Sequence, residues 1–186
     1  MSDKVKKIIC VVGLPGSGKT TATSIIKSLN IPVLVMGDVV REEARKRGLP
    51  TDLNTLMSIA KELREREGPA AIALRIAEKI KSINRNMIAI DGARSFHEIE
   101  VFKKMGNVYI MAIHASPRTR FKRLFKRGRP DDPKSLKELR KRDLTELSFG
   151  LGSLIALADY MIINEKDIKH LKDEILRVIN EVIKDP

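Results

Sequence analysis

The 186-residue chain has one cysteine, no tryptophan and only 4% aromatic residues. A single thiol cannot form an intrachain disulfide, which excludes a stapled secreted scaffold. Cys10, inside the apolar run IICVV, reads as a core residue. No apolar stretch approaches the roughly 20 residues that cross a bilayer, and the start MSDKVKKIICVVG lacks the small-residue cleavage site of a secretory signal. The cytosol is therefore the expected location. Few aromatics also leave few stacking platforms for sequence-specific single-strand recognition. Acid is in short supply too: 36 Lys and Arg against 24 Asp and Glu give a formal charge of +12. That excess calls for an anionic partner or is tolerated as surface charge. Its location narrows the choice, because residues 118–142 hold twelve Lys or Arg against three Asp or Glu.

What is present is enough for one globular domain with a normal core, at 42% hydrophobic residues. Short β-branched runs at 7–13, 32–37, 87–92, 108–115 and 160–165 predict five strands without polar alternation, as when both faces of a sheet are covered. Amphipathic stretches at 18–29, 38–47, 53–66, 69–84, 95–105, 117–127, 135–148, 153–158 and 167–184 predict helices between and after them. The alternation predicts an α/β fold, a three-layer α/β/α sandwich on a five-stranded parallel sheet. Strands two and three are separated by about 50 residues with three helical patterns, too long for a simple crossover. Residues 38–86 are thus expected to form a small helical subdomain projecting from the sheet. GRPDDPKS (128–135) reads as a hinged loop or short lid. Pro69 suits the first position of a helix, and Gly48 suits a helix stop.

GLPGSGKT (13–20) fits G-x-x-x-x-G-K-[ST], after a buried strand and before a helix. Gly13, Gly16 and Gly18, with Leu14, Pro15 and Ser17 between them, let the backbone wrap a polyphosphate with N–H groups inward. The following helix N-terminus adds partial positive charge there. Lys19 brings a point charge to the β/γ-phosphates, Thr20 offers a hydroxyl to Mg²⁺, and Thr21 follows on the same turn. ATP and Mg²⁺ are the expected ligands. A second metal ligand is needed, and Asp91 at the end of MIAIDG fits; a plain Asp-Gly turn is the other reading. GDVVR places Asp38 and Arg41 after strand two, and DGARS places Arg94 after strand three. Both fall at the C-terminal edge of a doubly wound sheet, where guanidinium groups can grip an acceptor phosphate bidentately.

With GLPGSGKT, GDVVR, DGAR and RLFKRGRPDD in that order, the chain resembles the nucleoside monophosphate kinases, adenylate kinase above all. The resemblance implies that Arg41 and Arg94 hold the acceptor monophosphate. It also implies that Arg123 flanks the adenine and Arg127, one turn on, meets the phosphates. Arg129, before Asp131 and Asp132, and Arg142 or Arg140 would close over the transferred group. The arginine of DGARS stands one residue early and lacks the family's preceding proline, and the lid is short. ALADYMIIN resembles dephospho-coenzyme A kinase, which implies that Asn164 lies beside the adenine. Over nearly the full length, GDVVREEA, DGARS, RGRPDD, RDLTELSFGLG and ALADYMIIN resemble the archaeal adenylate-kinase-related UPF0200 proteins.

The expected activity is ATP-dependent phosphoryl transfer to a small phosphorylated acceptor, a nucleoside monophosphate or dephospho-coenzyme A. Lys19, Arg127, Arg129 and Arg142 would stabilise the charge that moves. Such an acceptor ionises readily and needs no strong base, so His97, His114 and His170 are assigned no catalytic part. The alternative is an ATP-binding module or slow ATPase on RNA or a ribonucleoprotein, with 118–142 against the phosphate backbone. ELREREG (62–68) reads as a solvated helix face, from which Arg64 could also reach the acceptor. SFGLGSLIALAD (148–159) and the terminal helix read as core packing.

Overall fold

The computed structural model describes residues 5–129 and 132–185. Strands β1 (Lys7–Val12), β2 (Val33–Val35), β3 (Met87–Asp91), β4 (Asn107–His114) and β5 (Tyr160–Ile163) form one parallel sheet in the order β2-β3-β1-β4-β5. The helices of the described residues are α1 (Lys19–Ser28), α2 (Met36–Lys46), α3 (Leu53–Glu67), α4 (Ala71–Lys81), α5 (Phe96–Lys103), α6 (Pro117–Arg127), α7 (Leu136–Ser148), α8 (Leu151–Ala156) and α9 (Ile168–Lys184). Among them, none is long and apolar enough to cross a membrane.

Successive strand side chains point to opposite faces, so a strand covered on both sides must be apolar throughout. In β1, Ile8, Cys10 and Val12 face one layer and Ile9 and Val11 the other, all fully buried. Helices α1 and α9 cover the second face, α9 through Leu171, Ile175, Val178, Ile179 and Val182 at helical spacing. Each such aliphatic side chain contributes about 1.5–3 kcal/mol through burial. Helices α2, α4, α5 and α8 cover the first face through residues such as Val40, Ile76, Phe102 and Leu154.

Four local expectations are corrected. β2 stops at Val35 and α2 begins at Met36, so Gly37 and Asp38 belong to the first helical turn, where a carboxylate is favoured by the helix dipole. Pro69 is not a first helical residue: Ala71 N–H donates to Gly68 O in a turn, and α4 starts after it. α8 begins at Leu151, two residues early, because Gly150 at φ 102 sets its start. The helices between β2 and β3 do not project as a separate body, since Met36, Val40, Ile72 and Ile76 share one apolar cluster with Ile8, Ile88 and Ile90. Gly48 is the helix stop expected of it: at φ 67 it donates to Arg45 O while Leu49 N–H reaches Ala44 O, closing the end of α2. Because every strand runs the same way, the segments following β1 to β5 meet at one edge, which is where the site lies.

Candidate nucleotide and acceptor site

Gly13, Gly16 and Gly18 have φ of 151, 79 and 107, a region that L side chains avoid. A Cβ on Gly13 would meet Ile113 O of β4 at 2.3 Å, one on Gly16 Arg120 O of α6 at 2.8 Å, and one on Gly18 Asn164 Nδ2 at 2.2 Å. The loop is thus seated on β4, α6 and the end of β5, and only glycine permits it. A cavity of about 520 Å³ opens above it, lined by Gly13, Pro15, Gly16, Gly18, Lys19, Thr20 and Thr21. Leu14 instead packs on the core, and Ser17 is buried with its Oγ unpartnered, so these two face the cavity with no side chain. Lys19 Nζ donates to Gly13 O at 2.5 Å and Leu14 O at 3.3 Å. Burial pushes its ammonium below the usual lysine range, against the opposing pull of Asp91 and Glu146.

The α6 arginines hold this loop in place. Arg120, only 2% exposed, donates to Pro15 O and Ala115 O at 3.1 Å each and forks onto Asp143 of α7 at 2.8 and 2.7 Å. Arg123 reaches Asn164 O at 2.9 Å and Ser17 O at 3.4 Å, and Asn164 Nδ2 donates to Ser17 O at 2.7 Å. A side groove of about 250 Å³ runs from Gly18 and Thr21 past Arg123 and Asn164 to Ile168. Arg127 lines the main cavity and is paired with Asp132, which also accepts from Arg129 N–H at 3.0 Å. The segment expected to be a hinged loop or short lid is tied to α6 at Asp132, which is buried with Pro133; Pro130 and Asp131 lie outside the described residues. The Arg127 guanidinium holds the Asp132 carboxyl below the usual carboxylate range. The stability from this pair is complete above about pH 4, the unfolded value, and lost as pH falls through the lower folded value. Denaturant unfolding should show Asp132→Asn to be less stable than wild type at pH 6, with the gap closing towards pH 2.

The other side of the site is built on β3. Asp91 is half-buried, and desolvation pushes its carboxyl up against the counter-pull of Lys19. Thr23 Oγ1 stands 3.4 Å from Asp91 Oδ2 and 3.2 Å from Thr20 O, linking α1 to β3. A second cavity of about 220 Å³ lies between Gly37, Arg41, Met57, Asp91, Gly92 and Arg94. Asp38 and Arg41 pair with each other at 2.6 Å on the first turns of α2. Arg94 lines both cavities, and its Nε meets Glu146 Oε2 of α7 at 3.1 Å. Arg64 is not solvated: it grips the buried Glu98 at 3.0 Å, and Glu98 also accepts from Arg94 N–H at 2.7 Å. Both guanidiniums flank Phe149, at 5.7 and 5.8 Å from its ring centre. A further space of about 550 Å³ between α3 and α7 adjoins through Arg64, Arg94 and Met57.

The structure brings Lys19, Thr20, Arg94, Arg123, Arg127, Arg129 and Arg142 together on one cavity, and Arg41, Arg64, Asp91 and Arg94 on its neighbour. Arg142, not the exposed Arg140, faces the cavity. None of the three histidines lines either cavity. The pairs Arg120–Asp143, Arg64–Glu98 and Arg94–Glu146 were missed, since partners 23 to 52 residues apart leave no periodic signal. Among the described residues no three His, Cys, Asp or Glu cluster into a metal cage. The donor set suits Mg²⁺ all the same, which takes one or two protein oxygens and completes its shell with phosphate and water.

A family model described as an AAA domain matches residues 12–140. A UPF0200 protein of Hyperthermus butylicus is 50% identical over 182 residues, covering 98% of each chain, and one of Pyrococcus abyssi is 42% identical, covering 95% of this chain and 97% of the other. The chain belongs to the UPF0200 family. By fold, a shikimate kinase of Bacteroides thetaiotaomicron superposes with a TM-score of 0.60 at 18% identity, covering 95% of this chain and 98% of that one. A Thermus thermophilus protein gives 0.65 at 17% identity, covering 96% and 98%. This UPF0200 chain thus shares the fold of that shikimate kinase over nearly its whole length.

Proposed function

We propose that the protein is an ATP-dependent phosphotransferase acting on a small phosphorylated acceptor of the nucleoside monophosphate or dephospho-coenzyme A type. The observation that carries this is Arg94, a cation common to the walls of the Lys19 cavity and the Arg41 cavity. A nucleotide holder needs one anion site; a transferase needs two that meet.

On this reading the triphosphate lies in the glycine cradle, with the adenine in the groove between Arg123 and Asn164. The acceptor phosphate lies between Arg41 and Arg94, under helices of the 38–86 insert. An acceptor oxygen attacks the γ-phosphorus as its bond to the β-phosphate oxygen breaks. Lys19, Arg127, Arg129 and Arg142 take up the charge that develops. Mg²⁺, held by Thr20 and Asp91, would neutralise phosphate charge when bound. Glu146 fills the place on Arg94 that an acceptor anion would take, so acceptor binding frees α7 to adjust with the 118–142 lid segment. The test is a coupled assay of ADP release across nucleoside monophosphates and dephospho-coenzyme A. One acceptor should stimulate turnover well above ATP hydrolysis; no stimulation by any of them removes the reading.

A further inference from the structure

Helix α6 carries two cationic faces, and only one belongs to the site. Arg120, Arg123 and Arg127 point at the loop and cavity, whereas Arg118, Lys122 and Lys126 stand exposed on the opposite side at i, i+4 and i+8. Phe125 lies within this outer stripe, 64% exposed, its ring 5.7 Å from Phe121. α6 contains no Asp or Glu. Among the described residues none of these three outer cations has an ion pair, and the helix offers no carboxylate of its own to neutralise them. Like charges one turn apart repel and an exposed ring stays hydrated, so folding alone gains nothing from this face.

We propose that the outer face of α6 binds a single-stranded nucleic acid, with backbone phosphates along Arg118, Lys122 and Lys126 and a base stacked on Phe125. The cations repeat about every 6 Å along the helix axis, a spacing suited to successive phosphates of an extended strand. An acidic peptide would satisfy the cations but not the ring. A duplex would hide the faces of its bases, and a membrane would need more than one outward apolar side chain on this stripe. The site lies apart from the nucleotide cavity and does not depend on the transferase reading.

The experiment is a fluorescence anisotropy titration of labelled oligouridine of about 12 nucleotides, with excess unlabelled ATP to occupy the cavity, at several salt concentrations. Three phosphate contacts predict a log–log salt slope of about −2. Lys122→Ala with Lys126→Ala should bring it to about −0.7. Phe125→Ala should weaken binding about tenfold at an unchanged slope, the mark of stacking. All three positions are exposed, and thermal unfolding of the variants should match wild type. Absence of binding at about 50 mM salt overturns the proposal. So does equal binding of the duplex, of oligoglutamate or of anionic vesicles, or indifference to Phe125→Ala.

Discussion

On the proposed transferase reading, Lys19→Met will lower acceptor-dependent phosphoryl transfer by about 10²–10³-fold, and it will leave the nucleotide-free fold at least as stable as wild type. The two effects have one cause. Lys19 begins α1 half-buried among carbonyls, donating to Gly13 O and Leu14 O, and burial pushes its ammonium below the ordinary lysine range. A cation held this way costs the folded state some stability, and methionine has the same reach without the charge. The cost should shrink at high pH: a folded value below the unfolded one means that wild-type stability rises as pH climbs from the first to the second. The difference between Lys19→Met and wild type therefore narrows towards pH 10. Thermal unfolding with and without ATP checks the functional half. ATP at 100 times Kd stabilises a binder by about 2.7 kcal/mol, and the variant should lose most of that increment. A variant that keeps both turnover and the ATP-dependent stabilisation would remove Lys19 from the triphosphate site.

The parts legible in the sequence were those with a local signature. The strands were legible because each is buried on both faces, so an unbroken apolar run such as IICVV is required by the sheet itself. The loop was legible because positive φ and close approach leave glycine alone at 13, 16 and 18. β2 was drawn too long because Met36 continues the apolar run of Val33–Val35 while folding as the first helical residue, and hydrophobicity does not distinguish the two. Arg64 was legible only in part: it lines the Arg41 cavity, as the second of its two readings had it, but its ion pair was not visible. In ELREREG five charges in seven residues have the composition of a solvated face, and nothing local says that Glu98 lies buried 34 residues on. Glu98 in turn looks like an ordinary helix glutamate, yet it joins Arg64 to the backbone of Arg94 and so sets where Arg94 stands between the two cavities. The arginines were visible as a set; which ones face the cavity is decided by carboxylates supplied from other helices.

That dependence is sharpest at Arg120, where Asp143→Ala should destabilise the fold by about 3–5 kcal/mol, or about 6–20 °C in melting temperature for a chain of this size. The guanidinium is 2% exposed, and its two Asp143 bonds of 2.8 and 2.7 Å are its only ion pair among the described residues. Without the carboxylate the charge stays buried and uncompensated, which costs far more than the pair gains. Arg120→Met combined with Asp143→Leu removes both charges and should recover much of the loss. It cannot restore function equally, because Pro15 O and Ala115 O then lose their donor and the loop loses its tie to α6. The double variant is thus expected to melt near wild type yet bind ATP more weakly, in denaturant unfolding and nucleotide titration run side by side. Equal recovery of both would mean that Gly13, Gly16 and Gly18 hold the cradle unaided. Recovery of stability alone would make Arg120 the residue through which α7, carrying Glu146 and Arg142, and the phosphate loop move as one body.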